Sequence, residues 1–219
     1  GSREGLRKSA QPLTFTLGFG GISMSSWERI FKNFDKRLDH EDIDEFLDHL
    51  NASVNRRIKK LEDEYKNLTV DQFEDLRDID AYRDHLGEII TSSYDAKTLG
   101  DELSIVALYK KVESKTGRIV KRLIPAASHN NLSYFKQLCE VLPFDIKMVN
   151  GFASFNELRL LNNSIKHGEV VSQEIADNFP SWVVGAELKG LDSAFARILP
   201  GVEAYVSDFV EKVYAHSQS

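Results

Sequence analysis

The chain has 219 residues, of which 42% are hydrophobic and 28% are charged, and its mean hydropathy is −0.34. These values predict a folded globular protein, and because no apolar run reaches the roughly 18 residues of a membrane span, we expect a cytoplasmic protein without a membrane partner. A net charge of −6 argues against a general nucleic-acid coat, and the single cysteine, Cys139, excludes a disulfide framework.

The first 23 residues differ from the rest of the chain because they show no sustained periodicity. Helical patterning begins directly after Met24. We therefore expect residues 1–23 to be an added leader or a mobile tail, and residues 24–219 to form one helical domain. The small numbers of prolines and glycines, 5 and 13, favour long helices over an all-β sandwich.

Apolar residues recur at helical spacing along most of the remaining chain. A short helix is predicted over residues 26–38, and a long helix over residues 43–65. A third helix is predicted over residues 70–89. A capping box formed by Thr69 and Gln72 predicts where this third helix begins.

A fourth helix is predicted over residues 101–123. The dipeptide Ile124-Pro125 ends it, because a proline disfavours the helical conformation in the residue before it. A short helix over residues 132–142 follows.

Two end signals define the next helix. A second capping box, Ser154 with Glu157, predicts its start, and His167 followed by Gly168 predicts its end. After an irregular segment, the last helix is predicted to begin at Pro200, since proline is favoured in a first helical turn. The pattern as a whole predicts an all-α fold, a single bundle of about six to eight helices.

The sequence contains none of the common catalytic motifs. It has no nucleophile elbow, no P-loop, no HExxH pair, no dinucleotide-binding glycine pattern and no EF-hand loop. None of the 6 histidines is paired with another at a metal-ligand spacing. We therefore expect neither a metal ion nor another cofactor.

The helix over residues 101–123 carries a basic stripe opposite its apolar side. The stripe consists of side chains at helical spacing, namely Lys111, Lys115, Arg118 and Arg122. Glu113 instead falls inside the apolar arc, where an unpaired carboxylate would be costly. Two interpretations remain open for Glu113: an ion pair at the edge of the core, or a role in a functional site.

The helix that ends at His167 also carries a polar stripe, which consists of Arg159, Asn163, Lys166 and His167. Asn162 interrupts its apolar side, and we expect its side chain to form a hydrogen bond to another helix. The helix dipole favours a protonated imidazole at His167, and a nearby arginine could bind a phosphate. The alternative is that His167 only caps the helix.

The segment ELRLLNNSIKHG, residues 157–168, resembles the signature helix of HEPN domains, in which an arginine precedes a histidine. Residues 105–113 resemble an earlier helix of that fold, whose acidic residue faces the same site. The two segments together cover 21 residues. It implies a small helical bundle that forms a homodimer with both signature helices at one interface.

Many HEPN domains are metal-independent RNA endonucleases of toxin–antitoxin and phage-defence systems. The resemblance therefore implies that His167 acts as general acid or base while Arg159 and Lys166 stabilise the phosphorane. Asn163 and Glu113 would orient these groups. Substrate binding would involve the basic stripe and two residues of the signature helix: Lys111, Lys115, Arg118, Arg122, Asn162 and Lys166.

An inactive member of the same family is the alternative. Arg159 lies farther from His167 than the arginine of the family pattern does, and Asn162 stands at a matching position. In this second hypothesis the chain is a helical interaction or dimerisation module. Its partner would be an antitoxin or another protein instead of RNA.

Overall fold

The computed structural model describes residues 24–168 and 170–217, so the expected leader lies outside the described residues. Within this part of the chain, the only extended pairing is one isolated bridge between Val170 and Glu187. The seven helices are α1 (Met24–Lys36), α2 (Glu41–Lys66), α3 (Leu76–Leu123), α4 (Phe135–Val141), α5 (Phe152–His167), α6 (Gln173–Asn178) and α7 (Leu191–Ser217). The prediction of an all-α bundle is confirmed.

The core lies where α3, α5 and α7 pack together. Phe155 of α5 stacks on Tyr205 of α7, with ring centroids 4.1 Å apart and an interplanar angle of 3°. Tyr109 of α3 also stacks on Phe155, with centroids 6.4 Å apart. These aromatic contacts hold α5 against both neighbours, since each ring buries a large apolar area.

Two glycines allow α5 and α7 to approach each other closely. Gly151, which precedes α5, has a φ of +81°, and a Cβ there would lie 2.1 Å from the carbonyl oxygen of Gly201. A Cβ at Gly201 would lie 2.1 Å from the Oγ of Ser154. The backbone at the start of α5 is therefore fitted directly against α7.

The prediction of separate third and fourth helices is wrong, because α3 runs without a break from Leu76 to Leu123. Its interior polar groups do not end it, since the hydroxyl of Ser93 donates to the carbonyl of Ile89 at 2.8 Å. Gly100 lies inside α3, where the absence of a side chain allows α2 to pack closely. A Cβ at Gly100 would lie 2.0 Å from the Leu50 side chain of α2.

Neither predicted capping box begins a long helix. Thr69 and Gln72 form their box around a short 3-10 turn, and the cap of α3 is Asp75, which accepts from the Arg77 amide at 2.8 Å. Ser154 and Glu157 both lie inside α5. The Ser154 side chain faces α7.

The last helix begins at Leu191, not at Pro200 as predicted, and the proline lies in its interior. Apolar residues on both sides of the proline, including Phe195, Ile198 and Val202, are buried in the core. Burial along the full length of α7 thus outweighs the helix-breaking tendency of one proline.

Helix α2 packs mainly against the first part of α3, and the two helices form an antiparallel hairpin. We call residues 41–104 the acidic arm, because the stretch from Glu41 to Leu86 holds 14 acidic and 7 basic residues. None of the helices described here combines the length and the apolar character that crossing a membrane requires.

His40 connects the base of this arm to α7. Its ring nitrogens lie 2.7 Å from the Asp44 carboxylate and 3.2 Å from that of Glu203. Burial of the ring lowers its pKa, but the two carboxylates act in the opposite direction and raise the pKa above its ordinary value.

A pH dependence follows from this arrangement. The folded-state pKa of His40 is raised, so its protonated ring stabilises the folded protein through the pairs with Asp44 and Glu203. This contribution is complete below about pH 6.5 and is lost as the pH rises through the folded-state pKa. We expect the melting temperature of the native protein to exceed that of a His40→Asn variant, and this difference to shrink as the pH rises above about 6.5. A difference that grows with pH would contradict the assignment.

Candidate functional site

An open cleft lies at the C-terminal end of α5, and we call it the His167 cleft. It has a volume of about 260 Å³, and its lining includes Asn163, Ser164, His167, Ser172 and Glu174. The side chains of Asn163 and His167 are exposed. Among the described residues, no hydrogen-bond or ion-pair partner is found for the His167 ring, so its nitrogens face solvent.

Arg159 lies two turns before His167 on the same helix, about 12 Å away along the axis. Its guanidinium donates to the Asn156 side chain at 3.0 and 3.2 Å and to the Glu174 carboxylate at 2.9 Å. It also stacks on Phe135, 4.7 Å from the ring centroid. Arg159 therefore contacts the cleft through Glu174, not through His167.

Glu113 lines a different cavity. That cavity, of about 220 Å³, lies between α3 and the loop before α4, and His167 is not part of its lining. The Glu113 carboxylate is 15% exposed and lies 2.6 Å from the Nζ of Lys110. The structure thus places Glu113 in an ion pair at the edge of the core, the first of the two interpretations above.

Near the C-terminal end of α5, Lys166 lies over the ring of Tyr109 in α3, with its Nζ 6.0 Å from the ring centroid. Burial raises the pKa of Tyr109, the negative charge of Glu113 raises it further, and Arg159 opposes both. Tyr109 thus lies between three of the residues that the sequence identifies as candidates. Tyr109 falls on the apolar side of its helix in the sequence, so the pattern did not identify it as a candidate.

The basic stripe of α3 faces other helices over most of its length. Lys111 pairs with Asp42 of α2 at 2.8 Å, and Lys115 donates to the Phe34 carbonyl of α1 at 3.3 Å. Burial lowers the pKa of Lys115.

At the end of the stripe, Arg122 pairs with Asp35 of α1 and donates to the Tyr214 hydroxyl at 2.9 Å. Arg118 is exposed, and within the described part of the chain it has no ion-pair partner. Three of the four stripe residues therefore hold α1 and α2 in place, and Arg118 alone points freely to solvent.

Asn162 is buried, as expected from its position in the apolar arc, with 1% of its surface exposed. Its amide donates only to its neighbour Asn163, at 3.4 Å, and its Oδ1 has no partner among the described residues. The expected hydrogen bond to another helix is therefore absent here. An unpaired amide oxygen in the core is a local cost to stability.

Two groups were not identified from the sequence. Among the residues that the structure describes, Glu174 is the only carboxylate in the lining of the His167 cleft. It lies in the first turn of α6, a segment that the periodicity leaves irregular. Glu157 is buried and accepts from Trp182 at 2.7 Å and from Arg197 at 2.7 and 2.9 Å. Its charge on the helix side that also carries Leu160 and Leu161, three and four positions later, is the signal that could have indicated it.

No family model, curated protein or solved structure matches the chain. The described residues also contain no group of three or more histidine, cysteine or acidic side chains placed to bind a metal ion. The chemistry of the cleft itself is therefore the structural guide to function.

Proposed function

We propose that the protein is a metal-independent RNA endonuclease whose site is the His167 cleft. The proposal depends on one observation: the free imidazole of His167 shares a cleft with Asn163 and with the carboxylate of Glu174, which is itself paired with Arg159. An acid, a base and a phosphate-binding cation are the groups that this reaction needs. The resemblance to HEPN domains points to the same chemistry.

The proposed reaction is a transesterification within the RNA strand. The 2′-oxygen forms a bond to phosphorus while the bond from phosphorus to the 5′-oxygen breaks. Glu174 accepts the proton of the 2′-hydroxyl, and protonated His167 donates a proton to the leaving 5′-oxygen.

Arg159 and Lys166 have the charge to stabilise the phosphorane. Among the described residues, the Arg159 guanidinium donates through Nε and Nη2 and not through Nη1. Nη1 is therefore the group that would donate to a phosphate oxygen. Asn163, exposed one turn before His167, can donate to the same phosphate. Arg118, outside the cleft, would contact the RNA backbone.

The test compares two histidine variants on a single-stranded RNA. We expect His167→Ala to lower the cleavage rate by about 100-fold or more, because it removes the general acid. His129→Ala, which changes an exposed histidine outside the cleft, should cleave like the native protein. Circular dichroism of both variants should show unchanged helix content.

Three further readouts make the proposal falsifiable. The products should carry 2′,3′-cyclic phosphate and 5′-hydroxyl ends, the matching DNA should resist cleavage, and a chelator should leave the rate unchanged. Full cleavage by His167→Ala would contradict the role of His167, and loss of cleavage in the chelator would contradict a metal-independent reaction.

The second candidate function is a non-catalytic interaction module for an antitoxin or another protein. The observation that favours it is the use of Lys111, Lys115 and Arg122 to hold α1 and α2, which leaves little free positive charge for RNA. The acidic arm would then be the surface for a basic protein partner. A native protein that cleaves no RNA but binds such a partner through the arm would favour this function over the first.

A further inference from the structure

Helix α1 turns its apolar side away from the bundle. Trp27, Ile30, Phe31 and Phe34 are 49%, 41%, 55% and 72% exposed. Their spacing places them on one side of the helix, and we call them the α1 stripe. An amphipathic helix on a monomeric protein normally buries such a stripe in the core, so this orientation needs an explanation.

Ionic contacts on the opposite side of α1 hold it in this orientation. Lys32 and Lys36 both pair with Glu211 of α7, the second at 2.7 Å. Asp35 pairs with Arg122 and accepts from the Tyr214 hydroxyl at 2.9 Å. Because these polar groups bind α3 and α7, the aromatic residues are presented to solvent.

A groove lies beside the α1 stripe. It has a volume of about 640 Å³, and its lining combines Trp27 and Phe31 of the stripe with Leu123 of α3 and Tyr214 of α7. Projecting side chains and a concave apolar surface thus occur on the same face of the molecule. A two-fold interface requires such self-complementarity, because each copy must supply both elements.

We infer that the α1 stripe and its groove are the surface through which a second copy of this chain binds. The stripe residues are spaced by three, one and three positions, so the spacing reads the same in both directions. A two-fold axis between Ile30 and Phe31 would therefore bring Trp27 against the partner subunit's Phe34. The resemblance to HEPN domains instead places α5 at the dimer interface, so this surface is a different one.

The size of the stripe fits such an interface. At roughly 200 Å² for each fully exposed aromatic side chain, the exposed parts of the stripe amount to about 400 Å² of apolar surface. A standard interface buries about 800 Å² on each partner, of which somewhat more than half is apolar. The α1 stripe alone thus supplies most of the apolar area that a stable dimer needs.

This inference does not rest on the proposed function, because the α1 stripe and the His167 cleft share no residue. The test is analytical ultracentrifugation of the full chain at micromolar concentrations. We expect a species of twice 24.9 kDa, and we expect Phe34→Glu to weaken the dimer by about 30-fold or more, since it places a charge in the apolar interface, against the partner subunit's Trp27.

Phe46→Glu is the matched control. Phe46 lies on α2, is 44% exposed and belongs neither to the stripe nor to the groove, so this variant should dimerise normally. A second measurement uses a Trp182→Phe variant, in which Trp27 is the only tryptophan. Its emission should shift to shorter wavelength as the concentration rises through the range of dimerisation.

Four results would overturn the inference. The first is a monomer at every concentration, and the second is a dimer that Phe34→Glu leaves unchanged. The third is a monomer whose Trp27 emission is already that of a buried ring, since another part of the same chain would then cover the stripe. The fourth is a monomer that binds phosphatidylglycerol vesicles through the stripe, because the face would then be a membrane surface.

Discussion

A Gly151→Ala variant should be destabilised by about 3 kcal/mol or more, from two separate causes. The φ of +81° at this residue is in the left-handed region, which costs a residue with a Cβ about 1 to 2 kcal/mol. In addition, the new methyl would lie 2.1 Å from the Gly201 oxygen and 2.7 Å from the Tyr205 nitrogen. Both are backbone atoms of α7, so the whole start of α5 must move.

Thermal unfolding measures this effect, and for a chain of this length we expect the melting temperature to fall by roughly 6 to 12 °C. Two glycine variants separate the causes. Gly185 has a φ of +74° with nothing within 4 Å of a new Cβ, so Gly185→Ala should show the conformational cost alone. Gly87 lies inside α3 in open space, and Gly87→Ala should be slightly stabilising.

If Gly151→Ala were no more destabilising than Gly185→Ala, the close contact between α5 and α7 would be wrong. The same contact predicts that Gly201→Ala is destabilising too, because its Cβ would meet the Ser154 side chain. The Gly201 variant should also be rescued in part by Ser154→Gly, since the overlap is with the Ser154 side chain.

A Glu157→Ala variant should lose about 2 to 4 kcal/mol of stability. The Glu157 carboxylate is 3% exposed and accepts hydrogen bonds from Arg197 and from the Trp182 indole. Its removal leaves both donors without their buried acceptor. Glu174→Ala is the matched control, because Glu174 is 61% exposed and its ion pair with Arg159 should be worth about 1 kcal/mol or less.

Chemical denaturation measures both variants, and a double-mutant cycle isolates the pair. We expect the coupling energy between Glu157 and Arg197 to be about 1 to 3 kcal/mol. A cost for Glu157→Ala no larger than that for Glu174→Ala would show that the buried pair does not stabilise the fold.

The contribution of Glu157 also depends on pH. Burial raises the pKa of its carboxyl, but the hydrogen bonds from Arg197 and Trp182 lower it to a value below the ordinary one. Because the folded-state pKa of Glu157 is lowered, its ionised carboxylate stabilises the folded protein above about pH 4.3. This contribution is lost as the pH falls through the folded-state pKa of Glu157. The difference between the native protein and Glu157→Gln should therefore shrink in acid.

Local sequence signals predicted most of the helices. Regular apolar spacing predicted the long α2 and both halves of α3, and the turn at Ile124-Pro125 ends α3 as expected. Helix α5 ends at His167, again as predicted. Errors arose between residues 89 and 101, where α3 continues through Gly100, and at Pro200. At both places, packing against other helices keeps a weak helix former inside a helix.

The candidate site was predicted less well, and the basic stripe of α3 shows why. Its periodicity is correct, but periodicity cannot tell whether a polar side faces solvent or another helix. Lys115 contacts Phe34, and Arg122 contacts Asp35, more than 80 positions earlier in the chain. A contact over such a separation leaves no local pattern in the sequence.

The same limit applies to the cleft. The sequence identified His167 and Asn163 from their spacing on one helix, but Glu174 comes from α6 and meets them only because α6 packs against α5. By itself, the sequence determined the all-helical fold, because the spacing of apolar residues selects helices locally. The tertiary structure alone decided which charges are paired and which remain free, because ion pairs depend on distances between helices that are far apart in the chain.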